Sequence, residues 1–205
     1  LRREARSEML RTLRGGVALT LSFAVYVALP HVIDYVQPAL WDETLLALEV
    51  AILRPLTDGV PLYVLLAQWN SPAMTSWFSF AYSLQIPFYY LTATILAVQN
   101  RHGPARHVFL MMTLTQYAGF IGYLAVPALG PGVYFARQSP VPSEENIVSH
   151  IVATYGVARG TFPSLHAAIS MLVLVTSWRY LGRLVWGVLP LVVSLWLSTL
   201  YLRHH

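Results

Sequence analysis

Apolar residues run through this chain in long blocks that are separated by shorter polar connections. Five blocks have, or nearly have, the roughly 20 residues that a helix needs to cross a bilayer. They cover residues 15–36, 74–99, 107–127, 164–181 and 184–202. The pattern therefore predicts an all-α fold, a polytopic membrane helical bundle with five spans.

The connection between the first two blocks mixes polar and apolar residues at helical spacing, and prolines interrupt it. Such a segment is typical of one or two short helices that lie at the membrane interface. The longest connection extends from Leu129 to Gly160 and is rich in Gly, Pro and Ser. We expect it to form one long loop, and long ordered loops tend to be functional.

The second apolar block contains the aromatic stretch WFSFAYSLQIPFYY. Its aromatic side chains are expected to face lipid and the packed core rather than a substrate. Gln85 and Pro87 lie within the stretch, and we expect them to kink the helix, because sharp kinks usually occur at proline.

The composition places the chain among membrane proteins. Of its 205 residues, 56% are hydrophobic and only 11% are charged, which is outside the usual range of a soluble domain. Cysteine is absent, so disulfides, thiol nucleophiles and cysteine-bound metals are excluded. All 13 residues counted as Lys or Arg are arginines. The net charge of +4 is interpreted as a topology signal, so membrane lipids and not nucleic acid are the expected partners.

The first 14 residues, LRREARSEMLRTLR, place five arginines on a helical pattern. They lack the short apolar core and the small-residue cleavage site of a signal peptide. We therefore predict a basic juxtamembrane helix over residues 1–14, followed by one transmembrane domain over residues 15–205.

The arginines are divided unequally between alternate connections, and this division predicts the orientation in the membrane, because cytoplasmic connections collect arginine. An alternating path places nine on the side of the N-terminus: Arg2, Arg3, Arg6, Arg11, Arg14, Arg101, Arg106, Arg179 and Arg183. The other side receives four: Arg54, Arg137, Arg159 and Arg203. The N-terminus is then cytoplasmic. The sequences TFPSLH and YLRHH are expected to meet at the non-cytoplasmic face.

TFPSLH, at the start of the fourth block, has the features of an anion site. Proline is favoured in the first turn of a helix, so Pro163 is predicted to mark the helix start. The backbone N–H groups that follow are then free donors at the positive end of the helix dipole. The hydroxyl of Ser164 adds a donor, and His166 projects from the first turn, where an imidazole can give or take a proton.

STLYLRHH, at the end of the fifth block, brings further polar residues together over two helical turns. Arg203 supplies a permanent planar charge for phosphate oxygens, and a neutral His205 could act as nucleophile or base. An acid four residues beyond His205 would lie beside it on the same helix face and orient the ring.

These residues carry a family resemblance. GTFPSLHAA followed by STLYLRHH resembles the type-2 phosphatidic acid phosphatase superfamily, and most closely its bacterial branch similar to inositol-phosphorylceramide synthases. The segment GYLAVPALGPGVYF, residues 122–135, is similar to the first motif region of that branch.

The resemblance implies a mechanism, a fold and a location. His205 would attack phosphorus to form a phosphohistidine, and His166 would be the general acid for the leaving alcohol. An aspartate shortly after His205 would hold the nucleophile's ring. Members of the family have six helices and need no metal, so we expect no cofactor and a sixth helix beyond this chain. The bacterial branch implies the plasma membrane.

The chain departs from the superfamily's usual phosphate-binding residues. The first motif normally contributes a lysine and an arginine, but this chain has no lysine, and Gly132 stands where related sequences often have arginine. The third motif commonly has arginine after its serine, but here Thr199 follows Ser198. The remaining candidates for phosphate binding are Ser164, Arg203, Arg159 and Arg137.

Three functions are compatible with these residues. The first is hydrolysis of a lipid phosphate or diphosphate, and the second is transfer of the phosphoryl group to an alcohol headgroup. The third is a non-catalytic lipid-binding or transport protein of the same fold, which the missing first-motif lysine and arginine make credible. The branch resemblance favours transfer and the breadth of the superfamily favours hydrolysis. We take the phosphatase as the leading hypothesis, with a lipid phosphate as substrate.

Overall fold

The computed structural model of this protein describes residues 2–69, 71–134 and 159–203. This part of the chain is helical, without a β-strand, apart from one isolated bridge between Ala128 and Gly160. The nine helices are α1 (Arg2–Val36), α2 (Asp42–Thr57), α3 (Leu62–Ala67), α4 (Pro72–Ser83), α5 (Gln85–Val98), α6 (His102–Ala125), α7 (Pro131–Tyr134), α8 (Leu165–Leu181) and α9 (Val185–Tyr201). The prediction of an all-α fold is confirmed.

Three helical stretches of the described residues are long and apolar enough to cross a membrane. They are Arg6–Val36, His102–Ala125 and Leu165–Tyr201, and the bent pair of α4 and α5 would make a fourth. The last stretch reverses direction at a 3₁₀ turn that begins with Gly182. This glycine has φ +57°, a left-handed value that glycine adopts at little cost.

The reversal makes α8 and α9 an antiparallel hairpin. Trp196 Nε1 donates to Ser170 Oγ at 2.7 Å, although the two residues are 26 positions apart. In one continuous helix they would be separated by about 39 Å, at 1.5 Å per residue. Each of the five predicted apolar blocks therefore corresponds to its own helix or, for 74–99, to the bent pair α4–α5.

The bend between α4 and α5 measures 48°. Pro87 has no N–H to donate to the carbonyl of Ser83, four residues earlier, so the helical hydrogen-bond ladder is interrupted there. Gln85 lies at the break, and its Nε2 donates to the backbone oxygen of Leu165 on α8 at 3.2 Å. The predicted kink is confirmed, and the bend is tied to the start of α8.

The basic N-terminal segment is continuous with the first span. We predicted a juxtamembrane helix over residues 1–14 and a span from residue 15, whereas one helix extends from Arg2 to Val36. Gly15 and Gly16 do not interrupt it, and both are packed against Phe109. A Cβ built on Gly15 would lie 3.3 Å from Phe109 Cβ, and one built on Gly16 would lie 3.4 Å from Phe109 Cζ. The glycines serve close packing of α1 on α6.

α1 and α6 run parallel to each other. Glu8 forms an ion pair with Arg106 near the start of both helices. Further along, Ser22 Oγ donates to Gln116 Oε1 at 2.7 Å. Parallel packing of two helices that are separated by the bent pair α4–α5 agrees with the alternating path predicted from the apolar blocks.

The core of the bundle is made of aliphatic and aromatic side chains from α1, α5, α6, α8 and α9. The fully buried members include Leu19, Ile33, Leu96, Met112, Ile169, Val173, Val192 and Leu195. Large apolar side chains also cover the outside, among them Leu21, Ile52, Ile121, Trp178 and Trp186. Many large exposed apolar side chains are typical of a helical bundle that is surrounded by lipid.

The ends of the described helices form two groups, one at each end of the bundle. At the arginine-rich end, the first turns of α1 and α6 lie with the α8–α9 turn, and Arg101 Nη1 donates to the carbonyl of Tyr180 at 2.6 Å. At the other end, which we call the motif end, the C-terminal ends of α1, α6 and α9 lie with the N-terminal end of α8.

Candidate active site

Ser164 caps the first turn of α8. Its hydroxyl accepts a hydrogen bond from the backbone N–H of Ala167 at 3.3 Å, and the helix begins at Leu165. Pro163 therefore precedes the cap instead of occupying the first helical turn, so our prediction that it marks the start was wrong by two residues. Ser164 supplies the cap. The preference of serine for the N-cap position therefore sets the start of the helix, and not the preference of proline for the first turn.

His166 projects from this first turn onto α4. Its ring stacks on the ring of Tyr82, with centroids 4.2 Å apart and planes inclined by 28°. The backbone oxygen of His166 accepts a hydrogen bond from Ser170 Oγ at 2.6 Å, and Ser170 Oγ accepts one from Trp196 Nε1 on α9. The imidazole is thus held from α4, while its backbone is linked through Ser170 to α9.

Two glycines of α6 let the start of α8 approach closely. A Cβ built on Gly119 would lie 2.5 Å from Leu165 Cδ2, and a Cβ on Gly122 would overlap the ring of Pro163. Neither glycine was predicted as a site residue. The spacing of three residues, which places both on one helix face, is the sequence signal that could have indicated them.

The segment 127–134 after α6 is paired with the segment that leads into α8. Ala128 N donates to the carbonyl of Arg159 at 3.2 Å, and the carbonyl of Ala128 accepts from Thr161 N at 3.4 Å and from Thr161 Oγ1 at 2.8 Å. These bonds make the parallel bridge between Ala128 and Gly160. They set the path of the chain into TFPSLH.

Asp42, in the first turn of α2, holds the same segment from another side. Its carboxylate accepts hydrogen bonds from Leu129 N at 3.0 Å and Gly130 N at 2.9 Å, and the residue is only 7% exposed. The neighbouring Trp41 N donates to the carbonyl of Pro127 at 3.0 Å. Sequence reasoning assigned no role to Asp42, because its partners are more than 80 residues away along the chain.

Arg203 follows the end of α9 and contacts α7. Gly132 N donates to the carbonyl of Arg203 at 2.8 Å. A Cβ at position 132 would lie 2.7 Å from that oxygen, closer than real Cβ contacts, so a glycine is required there. The position at which related sequences often have arginine is therefore used here for a backbone contact with the end of STLYLR.

The positive charge of Arg203 affects the pKa of Tyr63 on α3. Burial raises the pKa of the Tyr63 phenol, the Glu49 carboxylate raises it further, and the Arg203 guanidinium opposes both effects. A nearby positive charge favours the phenolate, so this opposing effect is consistent with an Arg203 guanidinium that lies near Tyr63 at the motif end.

Arg159 is engaged by the end of α1. Its Nε lies 2.9 Å from Asp34 Oδ1, and its Nη1 donates to the carbonyls of Gln37 at 3.1 Å and Pro38 at 2.9 Å. These contacts join the segment before α8 to α1. One carboxylate and two carbonyl oxygens therefore already bind the guanidinium that we also considered for phosphate binding.

α4 contacts both motifs with one face. Phe78 and Tyr82 are four residues apart, so they are neighbours on that face. Tyr82 stacks on His166, and the ring of Phe78 lies 4.7 Å from the ring of Tyr201 in STLYLR. The two predicted motifs therefore meet at one end of the bundle, as far as their residues are described.

Of the predicted site residues, the structure describes Ser164, His166, Arg159 and Arg203, and all four lie at the motif end. His205 and Arg137 fall outside the described residues, so their roles remain predictions. Within the described ranges, no group of three His, Asp or Glu side chains could hold a metal ion. The expectation that the reaction needs no metal remains a prediction too.

A family model described as the PAP2 superfamily matches residues 61–205. This range contains α3 to α9 and both motifs. No curated protein and no solved structure matches the chain.

Proposed function

Because the chain belongs to the PAP2 superfamily, we propose that it is an integral-membrane phosphatase for lipid phosphates or diphosphates. The observation that carries this proposal is the segment 127–134, which is hydrogen-bonded at Ala128 to Thr161 of TFPSLH and at Gly132 to Arg203 of STLYLR. Those attachment points are four residues apart, hence at most about 14 Å even in an extended chain. Two motifs held so closely can act on one phosphate group.

The proposed reaction has two steps. A neutral ring nitrogen of His205 attacks phosphorus, so that an N–P bond forms as the P–O bond to the lipid alcohol breaks. The protonated His166 gives its proton to the leaving oxygen. In the second step water attacks phosphorus and passes one proton to a phosphate oxygen, and the N–P bond breaks to release inorganic phosphate and neutral His205. His166 regains its proton from solvent.

The phosphate oxygens would be bound by the N–H groups at the start of α8, by the Ser164 hydroxyl and by arginine. Ser164 Oγ accepts from Ala167 N, which leaves its own hydrogen for donation to an anion. Among the arginines we favour Arg203, because Arg159 already has partners on α1. Arg137 is the alternative from the long loop.

Inhibition by vanadate in detergent tests this choice of arginine. Arg203→Ala removes a charge-assisted contact of about 1.5 to 3 kcal/mol, so we expect vanadate inhibition to weaken about 10- to 100-fold. Arg203→Lys should recover only part, since a point charge does not reproduce the guanidinium fork. If Arg203→Ala binds vanadate as tightly as the wild type while Arg137→Ala does not, the charge comes from the long loop.

We further propose that the motif end faces the non-cytoplasmic side of a bacterial plasma membrane, with the N-terminus in the cytoplasm. The nine arginines predicted to be cytoplasmic support this orientation. The segment that would receive the lipid phosphate then lies at the outer headgroup level.

The leaving group tests the proposed roles of the two histidines. Purified protein is assayed with a lipid phosphate and with an activated aryl phosphate. His205→Ala should abolish turnover of both, whereas His166→Ala should spare the aryl phosphate, whose leaving group needs no proton. An equal loss on both substrates in His166→Ala would contradict its role as acid.

Product analysis in the same assay separates hydrolysis from transfer. Inorganic phosphate as the product supports the phosphatase, while a phosphorylated alcohol that appears only when an acceptor lipid is added would support a phosphotransferase. Turnover of neither kind by the wild type would leave a non-catalytic lipid-binding protein.

A further inference from the structure

The contact between Tyr82 and His166 is a close stack of two aromatic rings. Their centroids are 4.2 Å apart and their planes are inclined by 28°. Packed aromatic pairs usually have centroids about 4.5 to 7 Å apart, so this pair is slightly closer than that range. Tyr82 comes from α4 and His166 from α8, so that the stack joins two helices.

Tyr82 is held in place by the bend of the span that carries it. It lies one residue before Ser83, the last residue of α4, after which the chain turns by 48° into α5. Directly after the bend, Gln85 Nε2 donates to the carbonyl of Leu165, the residue before His166. The bend is thereby fixed to the same turn of α8 that carries the imidazole.

A ring stacked in this way limits the rotation of the imidazole. Rotation about the Cα–Cβ bond would move His166 off the face of Tyr82, and rotation about the next bond would break the near-parallel stack. The face of a phenol also attracts a cation. The stack is therefore suited to hold a protonated imidazole in one orientation.

We propose that Tyr82 is a positioning residue for His166, and that it aims the imidazole proton at the leaving oxygen of the lipid. This inference rests on the proposed function, in which His166 is the general acid. Tyr82 acts on His166 through the face of its ring. Its effect should be confined to substrates whose leaving group needs a proton.

The test compares Tyr82→Leu and Tyr82→Phe in the full chain, purified in detergent. General acids contribute large factors only when they are well placed, and a misplacement of about 1 Å can cost on the order of 100-fold. We expect Tyr82→Leu to lose about 10- to 100-fold in kcat on an alkyl lipid phosphate, with an activated aryl phosphate and vanadate inhibition nearly unchanged. Tyr82→Phe keeps the ring face and should stay within about twofold of the wild type.

Phe80→Leu is the matched control. Phe80 lies on the same helix, undergoes the same change from aromatic to leucine, and is 52% exposed on the outside of the bundle. It should not alter the ratio of the two activities. A loss on both substrates in Tyr82→Leu, or no loss on either, would overturn the proposal, because a general loss of packing does not distinguish leaving groups.

A second measurement does not depend on turnover. Carbethoxylation of histidines by diethyl pyrocarbonate is followed by mass spectrometry, with the exposed His107 on α6 as internal reference. Tyr82→Leu should accelerate modification of His166 several-fold relative to His107, and an unchanged ratio would overturn the stack as a constraint on the ring. If the wild type proved inactive, the proposed function would fail, and the modification ratio would still decide whether Tyr82 holds His166.

Discussion

The attachment of segment 127–134 to Asp42 can be tested by replacing this one side chain. Asp42 is 7% exposed and accepts hydrogen bonds from the backbone N–H groups of Leu129 and Gly130. Asp42→Ala leaves both buried donors without this acceptor, and each such loss costs about 1 to 3 kcal/mol. The free energy of unfolding should fall by about 2 to 6 kcal/mol. Asp42→Asn keeps one oxygen acceptor and should lose less.

The assay is SDS-induced unfolding in mixed micelles, followed by tryptophan fluorescence, together with lipid phosphatase activity. Glu43→Ala is the control, because Glu43 is the adjacent carboxylate and accepts one exposed hydrogen bond, from Tyr134 at 2.7 Å. This control should cost about 1 kcal/mol or less. If Asp42→Ala unfolded within about 0.5 kcal/mol of the wild type, the reasoning that Asp42 anchors the segment would be refuted.

Two further predictions concern helix packing and membrane topology. Gly122→Ala should destabilise the protein by about 1 to 3 kcal/mol in thermal unfolding, because the added Cβ overpacks the contact before α8. Gly187→Ala is the control and should be nearly neutral, since nothing lies within 4 Å of its added Cβ. Equal effects of the two substitutions would contradict the close contact at Gly122. Because the chain has no cysteine, Gln68→Cys and Arg183→Cys can report topology. An impermeant maleimide should label Gln68→Cys in intact cells and Arg183→Cys only after permeabilisation, and the reverse pattern would invert the proposed orientation.

The span pattern could be predicted from the sequence because bilayer thickness sets the length of an apolar block. The fourth block, 164–181, differs from α8 by one residue, and the fifth, 184–202, extends one residue beyond α9 at each end. The kink at Pro87 followed from the missing N–H of proline, a local property that is independent of the rest of the fold.

The contacts that build the site could not be predicted, since each depends on residues far apart in sequence. The sequence gives no sign of the role of Asp42, and only the fold places the N–H groups of Leu129 and Gly130 beside its carboxylate. Tyr82 belongs to an aromatic stretch that we assigned to lipid and core packing. That assignment describes the exposed Trp77 and Phe80, while Tyr82 contacts His166 instead.

Gly132 gives a second example of a contact that the sequence could not predict. At this position related sequences often have arginine, so the sequence alone indicates only that an arginine is missing. In the structure, its lack of a side chain is what lets the backbone of α7 reach the carbonyl of Arg203. A sequence pattern states which side chain is absent, but the close approach that requires the absence is a property of the fold.

Rapid-quench labelling is the most direct test of the proposal that the two motifs form one active site with a phosphohistidine. The enzyme is mixed with ³²P-labelled lipid phosphate, quenched in alkali, digested and mapped by mass spectrometry. We predict a label on His205 in the wild type and none in His205→Ala, with inorganic phosphate released as the label decays. Turnover in His205→Ala at the rate of the wild type, or a label on another residue, would contradict the account.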